Sequence, residues 1–412
     1  MQDVARIWMV LVTSALLVGV CVVGMLVARR SVERVFAAAG VTAFLSATWS
    51  FALLSEAYER ADATVYAVMF AFGACVGGYA LASTLLGILS RKTRPPIELS
   101  LLPHDTGQAA LVILGDDEPV HYEERATATA LDNLSEEGLL HASVTVLPFL
   151  FMAQKARYGA VGGSSKSGRE LDELAENVES SLKSTPFGSV RAASLHGRRD
   201  LETVVRAAAS SGYRRIVVAA AMVGESLELD QGKRRVAALR LAEKGVRIAY
   251  ADVLADSDRI ASLVASRIMN VAGDPTTTGV ILVGAAQPDA RSKDCRLYDE
   301  QESAFLNRVR MRVAERGLFE SNIRVAWSDW RVPDVTTAAR HLAALGCLRI
   351  VVAPVCFPLD SIQSTLDIQI ALRQARLDAS VTAITLSGYA ADPGFAEELR
   401  ERALRALDTT TA

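Results

Sequence analysis

The chain has 412 residues, half of them hydrophobic and 22% charged, with a net charge of -3. That is ample material for a core, and it offers no basic field for a phosphate backbone, so nucleic-acid binding is excluded as a first expectation. Five cysteines give neither a disulfide framework nor a CxxC metal knuckle, and the composition is not that of a disordered chain.

The apolar excess lies in the first 90 residues. Residues 7–28, 35–55 and 63–90 carry no charge, and each is long enough for about 30 Å of hydrocarbon at 1.5 Å per residue. They predict three transmembrane helices within an anchor over residues 1–94. A cleaved signal peptide would be shorter and would not be followed by two more such stretches. Arg29, Arg30, Glu33 and Arg34 give the first loop +2; Glu56, Glu59, Arg60 and Asp62 give the second -2; Arg91, Lys92 and Arg94 put +3 after the third span. The positive-inside tendency then predicts a multi-pass cell-membrane protein with its soluble region in the cytoplasm. No Asp, Glu, Lys, Arg or His falls inside a span, which argues against a proton or ion pathway. Gly73 and Gly77 have GxxxG spacing, read either as a close helix contact or as ordinary small residues. Residues 95–107, with three prolines and Gly107, read as a juxtamembrane linker.

Beyond residue 94 there remain 36 Lys and Arg against 42 Asp and Glu. Strand candidates at 110–115, 190–195, 215–222 and 246–253 alternate with helical patterns at 122–134 and 168–184. A second series follows: strand candidates at 278–284, 323–327, 349–356 and 381–388, with helices at 299–316 and near 364–377. This predicts an α/β protein of two mostly parallel sheets, in halves spanning 108–270 and 278–408, with 270–278 as the crossover. The halves match directly: residues 200–221 and 334–355 share Asp200/Asp334, Thr203/Thr337, Arg206/Arg340, Gly212/Gly346 and an Arg-Ile-Val-Val-Ala strand. Such a repeat predicts duplicated domains meeting across a cleft.

Ligand clefts open beyond the carboxyl ends of parallel strands, and that selects the candidate residues. The segment GAVGGSSKSG (159–168) lacks the order of a nucleotide-binding loop. Its Ser164–Lys166 either meet an anionic substituent near a helix start or form a solvent turn. Among the histidines His104, His121, His141, His196 and His341 no zinc spacing occurs; His196, after a strand, is the best placed to face a ligand. Glu225, Glu228 and Asp230 follow one strand and Asp360 follows its counterpart, where carboxylates attract a divalent cation, accept protons or cap helices. Trp327 and Trp330 offer a flat wall or core packing, and Cys347 and Cys356 read as buried thiols.

Seven ordered segments over residues 108–408 resemble the ferrochelatase family, within the wider chelatase superfamily that includes sirohydrochlorin cobaltochelatases. ALVILGDDEP (110–119) is similar to the family's opening LLVNLGTP, and VGGSSKSG (161–168) to its GGSP segment. Residues 194–222 resemble the stretch from its RYG-P turn to the strand ending PLYP. ILVGAAQP (281–288) stands in the place of SAHGLP, and YDEQ (298–301) in that of PYxxQ. VVAPVCFPLDSIQSTLDIQI (351–370) resembles PxxFVSDHxETLxEID, and SGYAADPGFAEEL (387–399) the terminal LNDDPxFIEAL.

The resemblance implies a chelatase-like fold in heme biosynthesis, porphyrin or heme as ligand and divalent iron as metal substrate; it fixes no resident cofactor. Together with the strand-end placement above, it makes Tyr158, Ser164, Lys166, His196, Phe357 and Ser361 candidates for tetrapyrrole binding, and Asp360, Gln363 and, as a substitute group, Glu225 candidates for catalysis, with Glu225 and Asp360 as metal ligands. The departures fall on the chemistry. Ala286 stands where the family has the histidine thought to abstract protons or handle metal, Gln363 where it has a glutamate, and Ser361 where a histidine follows the aspartate. The expectation is therefore a membrane-anchored protein that binds or hands over a tetrapyrrole with absent or altered chelatase activity. An active chelatase using substitute carboxylates and a structural subunit of a membrane complex are the alternatives.

Overall fold

A computed structural model describes residues 2–57, 61–90, 105–136, 140, 142–183, 185–195, 199–287 and 296–411. His104, His141, His196 and most of the expected linker lie outside the described residues. The chain divides into two compact units, one formed by residues 1–95 and 121–163, the other by 96–120 and 164–412.

The first unit is helical. Helices α1 (Gln2–Val27), α2 (Arg30–Ala57) and α3 (Ala61–Ser90) are long and apolar enough to cross a membrane. They present Phe44, Trp49, Phe72 and Leu89 outward, a surface suited to lipid rather than water. α1 is central and packs on both others. Its close crossing with α3 runs through Gly19 and Gly78: a Cβ on Gly78 would lie 2.0 Å from the Leu16 carbonyl oxygen, and one on Gly19 2.0 Å from that of Cys75. Gly73 and Gly77, the pair with GxxxG spacing, face open space. One residue along a helix is a rotation of about 100°, and that turns Gly78 rather than Gly77 onto α1.

Two further helices belong to this unit, α4 (Glu124–Glu136) and α5 (Leu147–Ala160). Residues 121–163 therefore pack with the membrane helices, although they fall inside the stretch 108–270 read as the first α/β half. Polar contacts to the end of α1 hold them there. Tyr122 Oη donates to the Val27 carbonyl at 2.7 Å, and Lys155 Nζ donates to those of Met25 and Ala28 at 2.7 and 3.2 Å. These carbonyls have no partner within the helix, so side chains from the returning segment satisfy them. Glu124 receives both the backbone N–H and the Nε of Arg29, at 2.8 and 2.9 Å.

The second unit holds two four-stranded parallel sheets. In chain order its elements are β1 (Ala109–Gly115), α6 (Ser167–Ser181), β2 (Phe187–Ser194), α7 (Leu201–Ser210), β3 (Arg215–Ala220), α8 (Leu227–Ala237), β4 (Arg247–Tyr250) and α9 (Asp258–Val271). There follow β5 (Thr278–Gly284), α10 (Arg296–Glu315), β6 (Ile323–Trp327), α11 (Val335–Ala344), β7 (Arg349–Ala353), α12 (Ile368–Ala375), β8 (Thr382–Thr385) and α13 (Pro393–Thr411). The strand orders β2-β1-β3-β4 and β6-β5-β7-β8 are the same topology used twice. The central strands β1 and β5 are buried along their whole length, which is why they read as unbroken apolar runs.

The repeat extends to the caps. The Asp200 side chain accepts the Thr203 N–H at the start of α7, and Asp334 accepts that of Thr337 at the start of α11. Each cap stabilises its helix by about 1 kcal/mol. Gly212 and Gly346 end the two helices at φ of 93° and 89°, a conformation that favours glycine.

Three apolar cores organise the unit. One covers the outer face of the first sheet under α7 and α8, and one that of the second sheet under α11 and α12. The third is shared, joining Leu111, Ile113 and Val217 of the first sheet to Val280, Leu282 and Val351 of the second through α6, α9, α10 and α13. Helix α13 packs against β3, β4 and α6, while α9 packs against α10 and β7. Each half thus lends a helix to the other, and the two sheets share one interior.

Candidate functional site

The strand ends of the second half converge on one hydrogen-bonded centre. β5 ends at Gly284, and Ala285 and Ala286 continue past it, Ala286 with φ of 61°. Tyr298 and Glu302 lie one helical turn apart on α10 and point beneath this strand end. The Glu302 carboxylate is fully buried and accepts the N–H of Ala285 at 2.6 Å, the N–H of Ala286 at 3.2 Å and the Tyr298 hydroxyl at 3.1 Å. Burial pushes its pKa up, and the Cys356 thiol is a further donor to it. Burial likewise pushes Tyr298 and Cys356 upward, with the Glu302 charge adding to both.

Gln363 joins the same centre from above β7. Its Nε2 donates to Ser328 Oγ at 3.1 Å, and Ser328 Oγ donates to the Ala285 carbonyl at 3.2 Å. Ser328 therefore links Gln363 to the Ala285 carbonyl, one residue before Ala286. Gln363 opens a π-type turn, Gln363–Asp367, that runs into α12. Ser361 sits before it in a reciprocal cap: Ser361 N–H donates to Ser364 Oγ at 2.9 Å, and Ser364 N–H to Ser361 Oγ at 3.0 Å.

The first half supplies carboxylates to the start of this helix. Glu118, in the loop after β1, accepts the Ile362 N–H at 3.1 Å, and Glu170 of α6 accepts that of Asp360 at 2.7 Å. Negative groups at a helix N-terminus meet its orphan amides and its dipole. Burial raises the Glu170 pKa, with the Asp360 charge adding to it. Asp360 is itself buried, and its Oδ1 accepts the Gly388 N–H at 2.5 Å. Asp117, beside Glu118, is 4% exposed and its Oδ1 has no hydrogen-bond partner; burial pushes its pKa up to about 6.

Glu225 lies across the seam between the halves. Its N–H donates to Gln301 Oε1 at 2.7 Å, and its carboxylate pairs with Lys233 at 2.5 Å. The cap of α8 is Ser226, not Glu225. Glu225 lines a cleft of 460 Å³ with Asp252, Asp256, Glu300, Gln301 and Arg308, beyond the end of β4 and under α10. Asp230 is paired with Arg234 on the outside of α8.

The other sequence candidates scatter. Phe357 is packed in the outer core of the second half. Ser164 is half-buried and Lys166 exposed where α6 begins; there Ser165 N–H donates to the Val120 carbonyl at 2.8 Å, and Ser167 Oγ accepts the Glu118 N–H at 3.0 Å. Tyr158 belongs to the helical unit, buried with its ring 6.2 Å from that of Tyr122. Trp327 packs so closely on Gly284 that a Cβ there would lie 2.4 Å from its ring, and the Arg331 guanidinium covers it at 5.1 Å. Trp330 is exposed. Cys347 is buried and Cys356 half-buried.

Sequence reasoning passed over Glu302, Glu118, Glu170 and Asp117. A signal existed for Glu302, since Tyr298 and Glu302 have the i, i+4 spacing of one helix face directly at the YDEQ segment. Among the described residues, no three His, Cys, Asp or Glu side chains are arranged to hold a metal ion.

The profile of the CbiX family matches residues 161–271, from the glycine-rich loop to the end of α9. This supports a chelatase-like fold distantly related to that family over part of the chain. No curated protein matches the chain. Among solved structures, a multi-domain protein of Deinococcus radiodurans with structural similarity to chelatases aligns with 72% of this chain at 17% identity and a TM-score of 0.46, and the chain covers 55% of that protein's length. SirB from Bacillus subtilis with Fe3+ aligns with 74% of this chain, over 97% of its own length, at 13% identity and a TM-score of 0.45. The sirohydrochlorin chelatase SirB of Bacillus subtilis subspecies spizizenii in complex with cobalt gives 11% identity and a TM-score of 0.46, with 74% of this chain and 97% of that one covered.

Proposed function

We propose that this chain is a membrane-anchored, ferrochelatase-like protein that binds or hands over a tetrapyrrole and does not insert iron by the family's usual chemistry. The observation that carries this reading is the make-up of the centre at the ends of β5 and β7. Metal insertion needs a group that removes two pyrrole protons. At the two positions in question Ala286 offers a methyl group, and Gln363 a neutral amide already donating to Ser328. The carboxylate at that centre, Glu302, is turned inward with its lone pairs taken by Ala285, Ala286 and Tyr298. It can accept a pyrrole proton only by giving up those bonds, which in a buried site costs about 1–3 kcal/mol for each donor left alone.

The membrane anchor agrees with a planar, poorly water-soluble ligand, which partitions into or along a bilayer. A neutral amide and a hydroxyl at a strand end orient ring substituents without reacting with them.

One observation favours the second reading, an active chelatase with a substitute base. Glu225 keeps about a quarter of its side chain exposed and lines the 460 Å³ cleft, where a proton or a divalent cation can reach it.

Absorbance titration of the full-length chain with porphyrins and with reduced sirohydrochlorin-type rings, with and without ferrous or cobalt ion, tests the proposal. Saturable spectral shifts at roughly tens of micromolar, without appearance of the metallated spectrum, are expected. No saturable shift with any ring would refute tetrapyrrole binding and leave the structural-subunit reading.

A further inference from the structure

Helix α5 is built the wrong way round for a helix in water. Its outward face is Phe149, Met152, Ala153, Ala156 and Ala160, all exposed and none charged. Val144 and Val146, just before the helix, are exposed too. On a water-facing helix that stripe is where charges gather. The two charged residues of α5, Lys155 and Arg157, are half-buried instead, and Lys155 also pairs with Glu33 of α2 at 3.1 Å.

The contacts of α5 and the turn before it fix their depth against the spans. Tyr79 Oη donates to the Thr145 carbonyl at 2.7 Å, and the Tyr79 and Phe149 rings are 6.4 Å apart. A Cβ on Gly87 would lie 3.8 Å from Val144 and 3.9 Å from Leu147. Both positions fall inside the apolar span Thr64–Leu89; at 1.5 Å per residue Tyr79 is about 15 Å along the helix from its end and Gly87 about 3 Å. Lys155, by contrast, meets the carbonyls of Met25 and Ala28, where the span of α1 ends. So α5 starts beside the hydrocarbon-spanning part of α3 and climbs to the level where α1 leaves the membrane.

Irregular backbone at such a depth needs partners from the protein. The Thr145 carbonyl has the Tyr79 hydroxyl, and the Ser143 carbonyl accepts the N–H groups of Val146 and Leu147 at 2.9 and 3.3 Å. With 14 residues α5 is too short to cross a bilayer and has the length of a re-entrant segment.

We infer that α5, with the turn before it, is a re-entrant membrane segment whose Phe149–Met152–Ala153 face contacts phospholipid acyl chains. Arg157, Arg29, Arg30 and Arg34 gather where α1 ends and meet the headgroups. The occupant of the apolar face is lipid because that face continues the lipid-facing surface of α3 through Phe149, Tyr79 and Gly87. The chain therefore enters the membrane-embedded unit twice, once through the three spans and again at residues 121–163.

The test is site-specific photocrosslinking of the full-length chain, in phosphatidylcholine–phosphatidylglycerol vesicles and in native membranes. p-Benzoylphenylalanine replaces Phe149 or Met152, with Phe72 on the outer face of α3 as the positive control and exposed Val332 of the α/β unit as the negative one. Lipid adducts at 149 and 152 comparable to Phe72, and at least about tenfold above Val332, are expected for an acyl-chain environment. Lipid adducts at Phe72 but none at 149 or 152 would overturn the inference. So would protein adducts at these sites in native membranes in place of lipid, which would assign the face to a partner.

Discussion

The carboxylate of Glu302 accepts the backbone N–H of Ala285 at 2.6 Å, from directly beneath the end of β5. The carboxylate is thereby spent on the backbone, and it fixes the chain where Ala286 turns to positive φ. Replacing Glu302 by alanine strands the amides of Ala285 and Ala286 and the Tyr298 hydroxyl, and a destabilisation of about 3 kcal/mol or more is expected. Glu302→Gln keeps one acceptor oxygen and loses less. Thermal unfolding of the solubilised chain checks this; two variants as stable as the parent would mean that the buried carboxylate is not the strut described.

Asp117 gives a pH signature. Burial raises its pKa from 3.8 to about 6 in the folded chain. The native state then holds the proton more tightly than the unfolded state, so this contribution to stability is full below about pH 3.8 and is lost as pH rises through about 6. The total is about 3 kcal/mol, at 1.4 kcal/mol for each pKa unit. Asp117→Asn removes that slope, and the difference in melting temperature between variant and parent should widen in favour of the variant from pH 4 to pH 7. Parallel pH curves for the two proteins would show that Asp117 does not titrate there.

The membrane helices yield a paired test. Gly78→Val drives a side chain into the α1 backbone and should lower the melting temperature of the solubilised chain sharply; Gly77→Val points into open space and should leave it near that of the parent. Equal effects at the two positions would contradict the α1–α3 crossing.

Much of this was legible in the sequence, for identifiable reasons. Uncharged runs marked the spans, and fully buried parallel strands appeared as unbroken apolar segments such as Ala109–Gly115 and Thr278–Gly284. Asp200 and Asp334, with their glycines twelve residues on, gave away the duplication because each caps a helix at the same place. The membership of residues 121–163 was hidden, since Tyr122, Glu124 and Lys155 find partners about a hundred residues away that no local pattern announces. Of the two readings of Gly73 and Gly77, ordinary small residues is the one the structure bears out, and the contact glycine is Gly78, which spacing alone does not single out. At the candidate site the sequence drew attention to Ala286 and Gln363 only through a resemblance, and it did not show what would surround them. That Glu302 would lie under Ala286, and Glu118 and Glu170 would cap the turn at Asp360, depends on how the shared core packs the two halves.

The loop charges predict which side of the membrane carries the α/β unit. The +2, -2, +3 pattern places a reporter fused at residue 100 in the cytoplasm. Reporter activity or cysteine labelling from the opposite side would reverse the topology.

The central claim is that this fold keeps a tetrapyrrole cleft without the groups that insert the metal. It is tested most directly by the initial rate of ferrous insertion into porphyrin, measured anaerobically on the full-length chain and on Ala286→His, Gln363→Glu and the double variant. His is tolerated at the positive φ of Ala286 better than most residues. The account predicts negligible insertion by the parent and a rise of about 10²-fold or more in the double variant, beyond either single change, with ring binding little altered. Robust insertion by the parent, abolished by Glu225→Ala or Asp360→Ala, would contradict it and assign the missing chemistry to those carboxylates.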